Sequence, residues 1–267
     1  MGSKSFLDLV IFDLGGTVCD GIDEATGLAN IGPINALKFS IKEVWDIDPD
    51  YGVILPHMAT RKLDHLHKIL STPSIAEEFQ KKHGRAPTFE DAELTFNTAF
   101  KRILEIDEMP DRSEPFEGVI EMFEGLRAKD ILIGINTGFY AKAVRIILAN
   151  FGHNHLIESD CGADEVSKAR PWPYMMFKIM DDLGVADVHR VMKVGDVYPV
   201  DFLEGYNLGG YSVGLTECGN TRPASAWKPM VHNGRELRPV EWFESSLSDK
   251  EALFKDWLRE SADKRTE

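Results

Sequence analysis

Short apolar runs recur along this chain with polar, Gly- or Pro-containing turns between them. Residues 7–12 form such a run, and so does Ile131-Leu132-Ile133-Gly134-Ile135-Asn136. Both predict buried strands. Residues 155–158, 190–194 and 211–214 read as further short strands. The stretches 116–129, 139–150, 171–183 and 200–207 carry apolar positions at helical spacing. Strands and helices that alternate in this way predict a parallel sheet with right-handed crossovers. From about 21 to 113 the pattern changes. Residues 33–46, 59–70, 74–83 and 89–107 read as helices, with Asn30 placed to cap the first and Pro33 in its first turn. No convincing strand interrupts them. The tail beyond 245 reads as a terminal helix with a charged, fraying end.

The expected fold class is α/β: a doubly wound, Rossmann-like parallel-sheet core with an inserted all-helical cap domain. The core domain is assigned to 1–20 and 114–267, and the cap domain to 21–113. A chain of 267 residues has room for both. Its net charge of −14 argues against nucleic acid or an anionic membrane as partner, since both select a basic footprint. A small anion needs only a local positive site. Three cysteines, Cys19, Cys161 and Cys218, show no metal-type spacing and suit a reduced, cytoplasmic protein. No apolar run approaches the ~18 residues of a membrane helix, and the early first strand leaves no room for a signal peptide.

Candidate chemistry sits where strands end, the place for ligands in open α/β sheets. Leu9-Val10-Ile11-Phe12 runs into Asp13-Leu14-Gly15-Gly16-Thr17. Asn136-Thr137-Gly138 follows the second strand, offering a hydroxyl and backbone N–H groups to a phosphoryl oxygen. Lys168-Ala169-Arg170-Pro171-Trp172-Pro173 puts a guanidinium just before a helix, where it can hold phosphate with two donors. Val194-Gly195-Asp196 is followed by Asp201 and Glu204, and an acid there suits Mg²⁺ together with Asp13. Each feature alone is ordinary turn chemistry. Their order and spacing within one βα alternation is specific. In the cap, Pro56-His57-Met58-Ala59-Thr60-Arg61-Lys62-Leu63-Asp64-His65 puts Met58, Lys62 and His65 at helical spacings of four and three, hence on one face. By itself Lys62 reads as a solvated lysine. Among apolar neighbours its pKa would fall and its amine would become a nucleophile.

The four strand-end motifs resemble those of the haloacid dehalogenase superfamily, whose first motif is Asp-x-Asp-Gly-Thr. The resemblance implies that Asp13 is the nucleophile and that Gly15 replaces the usual general acid/base. Within that superfamily the chain is similar to the phosphonoacetaldehyde hydrolases (phosphonatases), which carry Pro-Met-Gly-x-x-Lys-x-x-His in the cap, Ala at the Gly15 position and Arg-Pro-x-Pro-Trp-Met in the third motif. Lys193-Val194-Gly195-Asp196, Glu204-Gly205-Tyr206-Asn207, Tyr211-Ser212-Val213-Gly214-Leu215 and Gly219-Asn220 follow the family pattern. His57 is an extra residue, Ala59 replaces Gly, Phe139 replaces Tyr, Asp23 replaces a Cys of some members, and the segment after Asp196 is one residue longer. That extra residue leaves the register of Asp201 open and makes Asp196 the stronger metal candidate.

This resemblance implies Asp13, Lys62 and His65 as catalytic residues, and Met58, Thr137, Gly138 and Arg170 as substrate contacts. It places Mg²⁺ at Asp13, Gly15 and Asp196. It also implies a small phosphonate substrate and a homodimer formed through the cap. The chemistry is coherent. A carbanion leaves badly, so P–C cleavage needs an electron sink on carbon. A lysine iminium is such a sink and releases a neutral enamine, so no acid is needed at Gly15. His65 would relay protons while the iminium forms. The alternatives are a Mg²⁺-dependent phosphomonoesterase with Lys62 only touching substrate, a 2-haloacid dehalogenase, and a non-catalytic binder of a phosphorylated ligand.

Overall fold

A computed structural model describes residues 6–20, 26, 28, 31–108, 112–215, 230–232 and 235–237. The calls on Asp23, Asn30, Cys218, Gly219-Asn220 and the tail helix lie outside the described residues.

The first strand is β1 (Leu9–Phe12), entirely buried. A helical stretch follows: α1 (Ile31–Trp45), α2 (Tyr51–Ile54), a 3₁₀ turn Leu55–His57, α3 (Lys62–Leu70) and α4 (Pro73–His83). Next come α5 (Phe89–Thr95), a π-helical turn Phe96–Phe100, α6 (Lys101–Ile103) and a second π turn Leu104–Glu108. The remainder alternates: α7 (Val119–Arg127), β2 (Leu132–Thr137), α8 (Ala141–Phe151), β3 (Ser159–Gly162), α9 (Tyr174–Leu183), β4 (Val191–Gly195), α10 (Leu203–Leu208) and β5 (Tyr211–Gly214). A two-stranded antiparallel pair, β6 (Met230–His232) and β7 (Arg235–Leu237), stands apart from that sheet.

The five strands pair in the order β3-β2-β1-β4-β5, all parallel. This is the α/β class expected. Alternation along β1 builds two layers, because neighbouring side chains in a strand point to opposite faces. Leu9 and Ile11 pack with Met175, Met176 and Ile179 of α9. Val10 and Phe12 pack on the other side, where Phe12 meets Phe123 of α7 with ring centroids 5.1 Å apart. Strand order reverses at β1, since the chain goes outward to β2 and β3 and then returns to β4 on the opposite flank. A crevice opens there, beyond the carboxyl ends of β1 and β4.

Several boundaries differ from the sequence pattern. The strand expected at 155–158 is a 3₁₀ turn at Asn154–Leu156, and β3 begins only at Ser159. Leu156 is buried from within that turn, so its apolarity reflected burial and not strand geometry. The helix expected from 59 starts at Lys62, because Ala59 has a left-handed φ of 64° that no helix tolerates. Met58 therefore lies in the preceding loop and shares no helical face with Lys62 and His65. The helix expected from 171 starts at Tyr174, after Pro171 and Pro173.

Candidate active site

β1 delivers Asp13 to the crevice. Its N–H donates to the Val194 carbonyl at 2.8 Å, which continues the β1–β4 ladder by one residue. Leu14 then turns the chain, and its carbonyl accepts from Val18 N–H at 2.9 Å. Gly16 takes a φ of 86°, open to glycine and strained for other residues. The turn aims the Thr17 hydroxyl at Asp196, to whose Oδ1 it donates at 3.1 Å. Asp196 follows β4 and is fully buried.

The register of Asp201, open in the sequence, is set by the turn that follows Asp196. Residues Tyr198–Phe202 form a π-helical turn, which takes up one more residue than an α turn. Asp201 is carried back over Gly195, where a Cβ would lie 2.3 Å from its carboxyl carbon. Only a glycine fits under it. The Val197 N–H donates to Asp201 Oδ2 at 3.1 Å. Asp13, Asp196 and Asp201 thus present carboxylate oxygens within 4.8 Å of one another, all buried. Such a set of hard oxygen donors fits a divalent cation. Gly15 adds no side chain to it.

Arg170 enters from the loop before α9. Its Nη1 lies 2.9 Å from Asp13 Oδ1 and hydrogen-bonds Asp201 Oδ1, while Nη2 donates to the Ala59 carbonyl at 3.2 Å. Nε has no partner. Burial raises the Asp13 pKa, and the nearby guanidinium only partly counters it. Behind them lies Lys193, fully buried in mid-strand. Its Nζ donates to Asn136 Oδ1 at 2.5 Å and sits 3.3 Å from Asp201 Oδ1 and 3.6 Å from Glu204 Oε2. Asn136 in turn donates to Glu204 Oε1 at 2.9 Å. Burial pushes Glu204 up to about 7.

Across the crevice the helical stretch supplies Lys62, the first residue of α3. It is 4 % exposed, and its Nζ lies 5.0 Å over the Phe139 ring. Among the described residues no carboxylate reaches ion-pair distance of it. Burial, reinforced by Arg170, lowers its pKa from 10.5 to about 8, against weaker pulls from Asp13 and Asp20. A position at the positive end of a helix acts in the same direction. His65, one turn on, places Nε2 2.7 Å from the Ile54 carbonyl. A carbonyl only accepts, so Nε2 carries the proton. Nδ1 is then a bare, buried acceptor without a partner among the described residues. Burial, with Lys62 adding to it, holds the ring well below the usual histidine range and therefore neutral.

Asp13, Gly15, Met58, Lys62, Thr137, Gly138 and Arg170 all line one cavity, together with Pro33, Ala59 and Phe139. Gly138 seats the helical stretch on the sheet. A Cβ there would lie 2.7 Å from both the Ala59 and Thr60 carbonyls. His65 and Asp196 lie outside the lining, His65 behind Lys62 and Asp196 at the floor. The sequence reading assigned no role to Thr17, Phe139, Asn136 or Lys193. For Lys193 a signal existed, a charged residue in the middle of an apolar strand.

The model of the haloacid dehalogenase-like hydrolases matches residues 7–203. The chain belongs to that hydrolase family. It is 31 % identical over 234 residues to a phosphonoacetaldehyde hydrolase of Parabacteroides distasonis, covering 84 % of this chain and 88 % of that protein. It is 30 % identical over 223 residues to a phosphonoacetaldehyde hydrolase of Vibrio vulnificus, covering 82 % and 78 %. Among solved structures, a phosphonoacetaldehyde hydrolase-like protein from Oleispira antarctica superposes with a TM-score of 0.73 at 24 % identity, over 98 % of this chain and 85 % of that one. A predicted phosphoglycolate phosphatase from Haemophilus somnus gives 0.62 at 19 %, over 83 % and 92 %. These two superpositions speak for the hydrolase fold alone. No described helix of this family member is long and apolar enough to cross a membrane.

Proposed function

We propose that this hydrolase cleaves the P–C bond of phosphonoacetaldehyde or a close phosphono-aldehyde, releasing acetaldehyde and phosphate. The observation that carries this reading is Lys62: a buried amine with no carboxylate partner among the described residues and a pKa of about 8, in the same cavity as Asp13, Thr137 and Arg170. A phosphomonoesterase gains nothing from such an amine and would miss the acid absent at Gly15. The curated relatives named above agree with the reading.

Residues 21–113 act as the cap in this scheme and carry the amine to the core. Arg170, Thr137 and the N–H groups around Gly138 bind the phosphoryl group, with Met58 and Phe139 walling the carbon side. Lys62 in its free-base form adds to the aldehyde carbon and loses water, giving an iminium. His65, one turn along α3 from Lys62, offers its bare Nδ1 as a proton acceptor for that step. Asp13 Oδ attacks phosphorus as the P–C electrons move into the iminium, leaving an enamine on Lys62 and an aspartyl phosphate. Water hydrolyses both. Asp13, Asp196 and Asp201 would hold Mg²⁺, which when bound offsets the repulsion between carboxylate and phosphonate. A cytoplasmic homodimer assembled through the cap completes the proposal, and light scattering of the purified protein tests the assembly.

Borohydride reduction in the presence of phosphonoacetaldehyde, followed by peptide mass mapping, tests the chemistry. An ethyl-type adduct on Lys62 is expected. Turnover without any trappable adduct would refute the Schiff base.

A further inference from the structure

Six ionisable side chains are buried together at the floor of the cavity. Asp13, Asp196, Asp201 and Glu204 are acids, and Arg170 and Lys193 are cations. Asp20, a further buried acid, has its own counter-charge in Arg112 at 3.9 Å. Arg170 faces the cavity and is accounted for by the phosphoryl group. Lys193 does not line the cavity and cannot touch substrate. Burying a lysine completely is expensive unless its charge is used. Its three partners show where the charge goes. Asn136 holds the Nζ from β2, Glu204 holds it from α10, and the remaining direction points at Asp201 Oδ1, the oxygen that Arg170 also engages.

We propose that Lys193 is a positioning residue that sets the charge of the site: it offsets one acid so that the floor carries two negative charges, matched to one divalent cation, and it steadies Asp201 so that Asp201 can hold Arg170 toward the phosphoryl group. Asn136 and Glu204 orient Lys193 for this. Two opposite consequences follow from Coulomb's law at these separations. Without Lys193 the floor gains negative charge, so a cation binds more tightly. The same change, together with a freed Asp201, weakens the hold on an anion. A lysine that served only to support the fold would weaken both when removed.

This inference rests on the reading that the three aspartates hold a divalent cation. Wild-type protein that binds no Mn²⁺ would remove that reading and the inference with it. With Mn²⁺ binding established for the wild type, the inference stands or falls on the variants. Lys193→Met is titrated calorimetrically with Mn²⁺, and its Mn²⁺-saturated form with inorganic phosphate. The expected result is Mn²⁺ affinity raised about tenfold and phosphate affinity lowered about tenfold. Glu204→Gln, assayed at pH 8, removes an acid from the opposite side of Lys193 and is expected to shift both affinities in the reverse direction, by at least about threefold. It carries the test if Lys193→Met does not fold. Weakening of both ligands in Lys193→Met, or unchanged affinities in Glu204→Gln, would overturn the proposal.

Discussion

Gly138→Ala offers the sharpest test of how the helical stretch and the sheet cooperate. The added methyl carbon would lie 2.7 Å from the carbonyl oxygens of Ala59 and Thr60, where ordinary contact begins near 3.4 Å. Neither oxygen is the end of a flexible side chain. Both belong to the backbone of the loop that leads into Lys62, and the Ala59 carbonyl is also bound by Arg170. Relief therefore moves the loop outward by more than half an ångström and takes Lys62 away from Asp13. Misplacing a reacting group by about 1 Å costs on the order of 10²-fold in rate. The expected loss in kcat/KM for phosphonoacetaldehyde is thus about 10- to 100-fold, or about 1.4–2.7 kcal/mol of barrier. Asp13, Asp196 and Asp201 belong to other segments, and of the floor only Arg170 is bonded to the displaced loop, so Mn²⁺ affinity should stay within about twofold, well under the 1.4 kcal/mol that a tenfold change represents. Steady-state kinetics read the first quantity and calorimetry the second. Unaltered kcat/KM in a folded Gly138→Ala protein would show that this contact does not set the distance between amine and nucleophile.

Three further outcomes are expected. Lys62→Met should abolish P–C cleavage yet raise the thermal midpoint at pH 7. With a native pKa near 8 against 10.5, the folded state carries a lysine penalty of up to about 3 kcal/mol below pH 8, which fades as pH rises toward 10.5; a Lys62→Met protein less stable than wild type at pH 7 would contradict the burial argument. For the same reason borohydride trapping should accelerate from pH 7 to pH 9 and then level, and a rate that is flat across this range would mean the amine titrates elsewhere. Gly15→Asp should lower phosphonoacetaldehyde cleavage at least about tenfold, near 1.4 kcal/mol, with little phosphatase activity gained, because the new carboxylate meets the acids already clustered at Asp13; strong hydrolysis of a phosphate monoester by this variant would favour a phosphatase instead.

Strands β1, β2, β4 and β5 were legible in the sequence because each is a short, largely buried run, and their parallel arrangement followed from the βα alternation, whereas β3, Ser159-Asp160-Cys161-Gly162, carries no apolar run. The strand-end residues Asp13, Thr137 and Asp196 were legible for the same reason, since the sheet edge gathers whatever follows each run, and Arg170 was legible from the Arg-Pro step before a helix. Backbone features were hidden. Alanine as a residue type does not announce a left-handed φ, and the Gly that the family carries at the Ala59 position was the signal passed over, so Met58 was assigned to a helix that begins four residues later. Leu156 looked like strand because burial in a 3₁₀ turn selects the same side chains. Contacts between distant segments, such as Lys193 with Asn136 and Glu204, leave no periodic trace at all.

The wide turn at Tyr198–Phe202 bears on how such sites are found by pattern matching. A search for two acids at a fixed interval would pass over Asp196 and Asp201, although their carboxylates meet in space. Helices can absorb a single inserted residue by loosening one turn, after which the downstream register resumes. Spacing rules for strand-end acid pairs should therefore allow one residue of slack wherever the second acid sits in the opening turn of a helix. Removing one residue between Val197 and Val200 would shorten the interval and tighten the turn, which makes the insertion a reversible graft and not a lesion.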